Sequence, residues 1–178
     1  MKKNHSTQRM FSVAACAVIV SGVGLAAASL QITSTAFTQN GSIPAKYTCD
    51  GQGISPPLTF GSIPTKTQSL VLIVDDPDVP KNLMPSGVFD HWLIWDLPAN
   101  TQGFAEGAGK GGVNGMGQQG FMGPCPPDRE HRYFFKLYAL DTKLTGAKIA
   151  NKKDLEAAMD GHIIERAELI GRYNRAGR

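Results

Sequence analysis

Leu70 to Val74 is a near-continuous apolar run containing three β-branched residues, and it is closed by Asp75, Asp76 and Asp78 with Pro77 and Pro80 among them. Such a run, ended by carboxylates and prolines, predicts a buried strand whose chain must leave the sheet at its acidic mouth. If the backbone stayed extended across Pro77, Asp76 and Asp78 would point to one side and Asp75 to the other. The FDHWLIW run, Phe89 to Trp95, predicts the next strand, with His91, Leu93 and Trp95 on one face and Trp92 and Ile94 on the other. A histidine beside carboxylates is a ligand candidate, because the neighbouring negative charge orients the imidazole and favours its protonated form.

The same reading extends to both ends of the chain. Leu30 to Phe37 alternates apolar and polar residues and predicts a first strand; Leu58 to Phe60 predicts a short one. HRYFFKLYAL, His131 to Leu140, predicts a strand with His131, Tyr133 and Phe135 on one face and Arg132, Phe134 and Lys136 on the other. The tail fits helical spacing: Asp154 is placed to cap LEAAMDGH, and Ile163, Ile164, Ala167 and Ile170 fall on one helical stripe.

Composition agrees with a β-rich chain, since 178 residues carry 20 glycines and 11 prolines and suffice for one domain. The first segment stands apart. Lys2, Lys3 and Arg9 precede an apolar stretch and the small residues Ala26 to Ser29, the three parts of a cleaved secretory leader over residues 1–28, with the domain over 29–178. This places the mature chain in the periplasm or outside the cell, with no stable membrane insertion after cleavage. The leader holds three of the eighteen basic residues and no acidic one, so fifteen of each remain. A neutral chain argues against nucleic acid as a bulk electrostatic partner. Cys16 leaves with the leader. The pair that stays, Cys49 and Cys125, fits either a disulfide or two separate thiols.

The motifs that suggest catalysis are weak. Gly107-x-Gly109-x-x-Gly112 and Gly115-x-Gly117-x-x-Gly120 match a dinucleotide fingerprint by spacing, but neither follows a strand nor opens a helix. The glycine-dense stretch from Glu106 is better explained as a long loop draped beside a pocket. Ser55 has no small-residue elbow around it, so a serine triad is not supported. Three histidines remain after the leader and His162 lies in the tail, which leaves no metal cluster. No cofactor is expected, and no enzyme activity.

Taken in order, SLVLIVDDPDVP, FDHWLIW, GFMGPCPPDREHRYFFKLYAL and AMDGHIIERAELIGRY resemble the phosphatidylethanolamine-binding protein family, in its bacterial YbhB/YbcL or Raf-kinase-inhibitor-like branch. The resemblance runs from about Phe37 to Tyr173. It implies a mainly β fold: a large antiparallel sheet packed on a smaller one, with peripheral and C-terminal helices. It also implies a pocket for phosphate-like or other small anions, lined at Asp76, Pro77, Asp78, His91, Gly123, Pro124, His131 and Tyr133. In that picture the aspartates fix the imidazoles while His91, His131 and Tyr133 donate to the anion. The expected function is extracytoplasmic, non-enzymatic binding of a phosphate or phospholipid head group, with a protein partner around the pocket left open. The alternative is a protease or kinase inhibitor acting through surface loops. Relatives of this kind often pair, so a homodimer also stays open.

Overall fold

The computed structural model describes residues 28–175. The leader expected over residues 1–28 therefore lies outside the described residues, except for its last position. Eight strands and one α-helix follow in chain order: β1 (Gln31–Thr33), β2 (Gly41–Ser42), β3 (Leu58–Gly61), β4 (Ser69–Asp76), β5 (Phe89–Pro98), β6 (Gly103–Phe104), β7 (His131–Leu140), α1 (Lys152–Met159) and β8 (Ile163–Tyr173). They form a five-stranded sheet in the order β2-β8-β7-β4-β5 and a three-stranded sheet in the order β1-β3-β6. All pairings are antiparallel except the two-residue contact of β2 with β8.

β4 is buried along its whole length because both faces of the large sheet are covered there. Leu70, Leu72 and Val74 pack inward with Trp92, Tyr133 and Phe135 against the small sheet. Val71 and Ile73 pack outward with Leu155 and Met159 of α1. A strand buried on two sides needs apolar residues at every position, which is why this run lacks the alternation of its neighbours.

The C-terminal segment corrects the helical expectation. Residues 163–173 form a strand that pairs with β7 from His131↔Tyr173 to Leu140↔Ile163. The inward positions are Ala167, Leu169, Gly171 and Tyr173, a period of two, while Ile163 and Ile164 stay exposed. Pairing along the whole of β7 and burial of Leu169 and Tyr173 outweigh helix propensity here. A Cβ on Gly171 would come within 2.5 Å of Ile43 Cγ1, so this position is fixed by close packing. The only helix of useful length among the described residues is α1. Its N-cap is Asn151, whose side chain accepts from the Asp154 amide, while Asp154 reaches back to the Ala150 amide. Asp154 is thus the reciprocal partner of the cap rather than the cap itself. The first strand is also shorter than the alternation from Leu30 to Phe37 predicts, ending at Thr33.

Candidate functional site

The three acidic residues at and just beyond the end of β4, Asp75, Asp76 and Asp78, are sent to three different places. Asp75 faces outward, where its Oδ2 accepts from Lys136 at 2.8 Å and from Lys152 of α1 at 2.7 Å. Asp76 faces inward and accepts from His131 Nδ1 at 2.7 Å. The backbone does not stay extended across Pro77: the chain turns, and the Asp78 amide donates to Asp76 Oδ1 at 2.8 Å. That Asx turn swings Asp78 onto the Arg132 guanidinium, which donates through Nε and Nη2 at 2.8 and 2.7 Å. Asp76 and Asp78 therefore do not share a side. The guanidinium holds the Asp78 carboxyl below the usual aspartate range despite partial burial.

His91 is placed by an irregularity of β5. Val74 is opposite Trp92 and the next residue, Asp75, is opposite Asp90, so His91 is the extra residue of a β-bulge. Strict alternation puts His91 and Trp92 on opposite faces; the bulge turns both inward. The His91 ring meets Tyr133 at 5.2 Å and Phe89 at 4.8 Å, both edge-to-face. Its Nδ1 donates to the Met122 carbonyl at 2.7 Å. Desolvation pushes the imidazole below its ordinary value, against the raising effects of the Met122 carbonyl and of Asp76, Asp75 and Asp90. Burial thus defeats the neighbouring charges, and the protonated ring expected from the sequence gives way to a neutral one.

The glycine-dense segment forms the wall that holds this ring. Val113 and Leu93 exchange two backbone hydrogen bonds, and the Met122 amide donates to the His91 carbonyl, so the loop covers the free edge of β5. Gly112 lies at φ 74°, and a Cβ there would meet the Leu93 carbonyl oxygen at 2.2 Å. Glycine is required where the loop crosses the strand. Asn114 folds the tip by accepting from the amides of Met116 and Gln118. Ser55 has a structural task as well, its Oγ accepting from the Gly109 amide. Cys49 and Cys125 form a disulfide with Cα atoms 5.3 Å apart, and it ties the segment after the 3₁₀ turn Ala45–Tyr47 to the Gly123–Pro127 loop.

These elements enclose a cavity of about 680 Å³. Asp76 and His91 form its polar end, with Gly123 and the disulfide beside them; Val79, Leu83, Phe89, Phe121 and Met122 give the apolar walls. Among the sequence-predicted site residues, Asp76, His91 and Gly123 line the cavity. Tyr133 stands directly behind the His91 ring, 1% exposed, its hydroxyl buried beside the Asp76 carboxylate and off the cavity lining. Desolvation first, and the Asp76 charge next, push its phenol well above the ordinary tyrosine value, so it stays a donor. His131 is fully buried and spends both nitrogens, Nδ1 on Asp76 and Nε2 on Asp128 Oδ1 at 2.8 Å. It holds Asp76 in place and keeps no proton for a ligand. The Pro124 carbonyl is taken by the Cys49 amide. Pro77 lines a separate outer groove with Phe134 and Lys136, and Asp78 is committed to Arg132.

Sequence reasoning missed the apolar walls and Asp128. Phe121 and Met122 carry no periodic signal because they belong to a loop. Asp128 lies three residues before His131, in the irregular segment that leads into β7. Among the described residues, no group of His, Cys, Asp and Glu is arranged to hold a metal ion. None of the described helices is long and apolar enough to cross a membrane.

The architecture defines a class: a two-sheet β fold with an open cavity at one end of the large sheet, lined by Asp76 and His91 together with apolar and amide side chains. Comparison with known proteins makes the class specific. The sequence profile described as phosphatidylethanolamine-binding protein matches residues 33–174. A UPF0098 protein of Chlamydia pneumoniae is 47% identical over 150 residues, covering 83% of this chain and all of the relative. One from Methanothermobacter thermautotrophicus is 44% identical over 155 residues, covering 82% and 99%. The crystal structure of a phosphatidylethanolamine-binding protein homologue from Chlamydia trachomatis superposes with a TM-score of 0.78 at 47% identity, covering 83% of this chain and 98% of that one. Escherichia coli YbcL superposes at 0.73 with 28% identity, covering 83% and 99%. The chain belongs to the phosphatidylethanolamine-binding protein family.

Proposed function

We propose that the chain is a non-enzymatic binding protein that works outside the cytoplasm and captures a small anion of the phosphate or phospholipid head-group type. The observation that carries this reading is the cavity: a polar floor at Asp76 and His91, with the side chains of Asn114, Gln118 and Gln119 also on its lining, beside apolar walls. The volume exceeds what a bare phosphate fills, which leaves room for an attached organic group against Phe89, Phe121 and Met122. Among the described residues, no serine lines the cavity, and its two cysteines are joined to each other. A disulfide persists in oxidising compartments, which supports an extracytoplasmic location together with the leader pattern of residues 1–28.

Native mass spectrometry of the purified chain with inorganic phosphate and with phosphoethanolamine tests the reading. One bound anion, lost in His91→Ala, is the expected result; an anion located away from Asp76 and His91 in a soaked crystal would refute the site. A second reading, inhibition of a protease or kinase through the loops at the mouth, is favoured by Leu83 and Met116, which are 62% and 64% exposed on two of those loops. Inhibition in a protease panel that survives His91→Ala would move the function from cavity to loops.

A further inference from the structure

The polar floor of the cavity is richer in acceptors than an anion site would be expected to be. A carbonyl can only accept, so the Met122 contact keeps the His91 proton on Nδ1 and leaves Nε2 of the neutral ring as a lone pair. Asp76 already accepts from the Asp78 amide and from His131, one bond on each oxygen, and each oxygen has a second lone pair to offer. The Tyr133 hydroxyl lies buried behind the His91 ring beside Asp76, off the cavity lining.

The charges packed around His91 sharpen the point. Asp76 faces it from β4, Asp75 acts on it from the outer side of that strand, and Asp90 is its neighbour on β5. Behind Asp76 stands His131, bridged to Asp128. The nearby cations are committed elsewhere, Lys136 and Lys152 to Asp75, Lys152 also to Asp90, and Arg132 to Asp78. Among the described residues, no lysine or arginine lines the cavity, whose remaining polar lining is the neutral amide side chains of Asn114, Gln118 and Gln119. A fully ionised dianion would therefore meet a carboxylate and an imidazole lone pair without a lining lysine or arginine to offset them.

We propose that the cavity selects anions that carry an acidic proton: the bound head is the singly protonated form of an oxyacid, such as a phosphate monoester monoanion, whose O–H donates to His91 Nε2 or Asp76. This deepens the anion-binding reading and rests on it. The proton count follows directly. Where the free ligand is a dianion, one proton is taken from solvent for each molecule captured; where it is already the monoanion, none is. Sulfate has no such proton near neutral pH and is rejected.

Isothermal titration of the full chain with inorganic phosphate and with sulfate tests this, in buffers of different ionisation enthalpy. Above the ligand's own titration, phosphate should bind with uptake of about one proton, and its affinity should fall about tenfold per pH unit. Sulfate should bind at least about tenfold more weakly than phosphate near neutrality, the step expected when a buried acceptor loses its donor. In His91→Gln, whose amide can donate, that discrimination should shrink. Equal binding of the two anions by the wild-type chain, or phosphate binding without proton uptake, overturns this proposal and leaves the anion-binding reading standing. Absence of both anions from the cavity at every pH overturns both.

Discussion

The smallest unit with a measurable consequence is the Asp78–Arg132 pair. Arg132 holds the Asp78 carboxyl below its ordinary value, so the pair contributes fully above the unfolded-state value near pH 4 and loses that contribution as pH falls through it. Asp78→Asn should cost about 1 kcal/mol at neutral pH, a modest figure because Arg132 is largely open to solvent. It should also flatten the acid limb of a urea-denaturation series below about pH 4. An unchanged acid limb would show that Arg132 does not stabilise the turn at Pro77. Gly112 is a second residue-scale test, on purely steric grounds. Gly112→Ala must force apart the exchange between Val113 and Leu93, because a Cβ has no room against the Leu93 carbonyl and the positive φ is strained for alanine. A loss of about 1–3 kcal/mol by denaturant melting, with weakened ligand binding, is expected.

At the scale of elements, the disulfide is the strongest single tie between the walls of the cavity. It closes a separation of 76 residues, for which chain entropy alone gives about 4 kcal/mol. Reduction, or Cys49→Ser with Cys125→Ser, should lower the thermal midpoint by more than 8 °C and weaken anion capture while the sheets stay formed. A circular-dichroism melt with and without reductant, paired with titration, reads both effects. How far elements could be foreseen follows from what signals them. β4 and β7 were legible because an apolar run and a strict alternation are unambiguous. β8 was not, because Ile163, Ile164, Ala167 and Ile170 satisfy a helical stripe while its inward positions include Gly171, which carries no hydrophobic signal. The site was legible in part for the same reason. Asp76 and His91 sit at strand ends that a sequence marks, but the bulge that turns His91 inward depends on pairing between strands. The commitments of His131 and Asp78 depend on Asp128 and Arg132, partners that periodicity does not point to.

For the molecule as a whole, the two clusters of buried apolar residues run from Leu30 to Tyr173, and the family match covers residues 33–174. The core is shared between sheets whose strands come from both ends of that span, since β1 packs in the small sheet while β8 pairs along β7 at the centre of the large one. Such interleaving makes folding cooperative, because neither end can detach without exposing the common core. A chain that begins at residue 29 should therefore unfold in one transition, with a midpoint within about 2 °C of the full-length protein, a shift below what 1 kcal/mol produces at this size. Removing eleven further residues, through Gln39, deletes β1 along with Leu30, Ile32 and Phe37 from the core. At about 2 kcal/mol or more for each large apolar side chain, that loss approaches the whole stability of a domain this size. The shorter chain should fail to give a cooperative melt. A calorimetric scan of the two truncations decides it: a cooperative transition in the chain starting at residue 40 would mean that the small sheet is dispensable, and that the cavity stands on the large sheet alone.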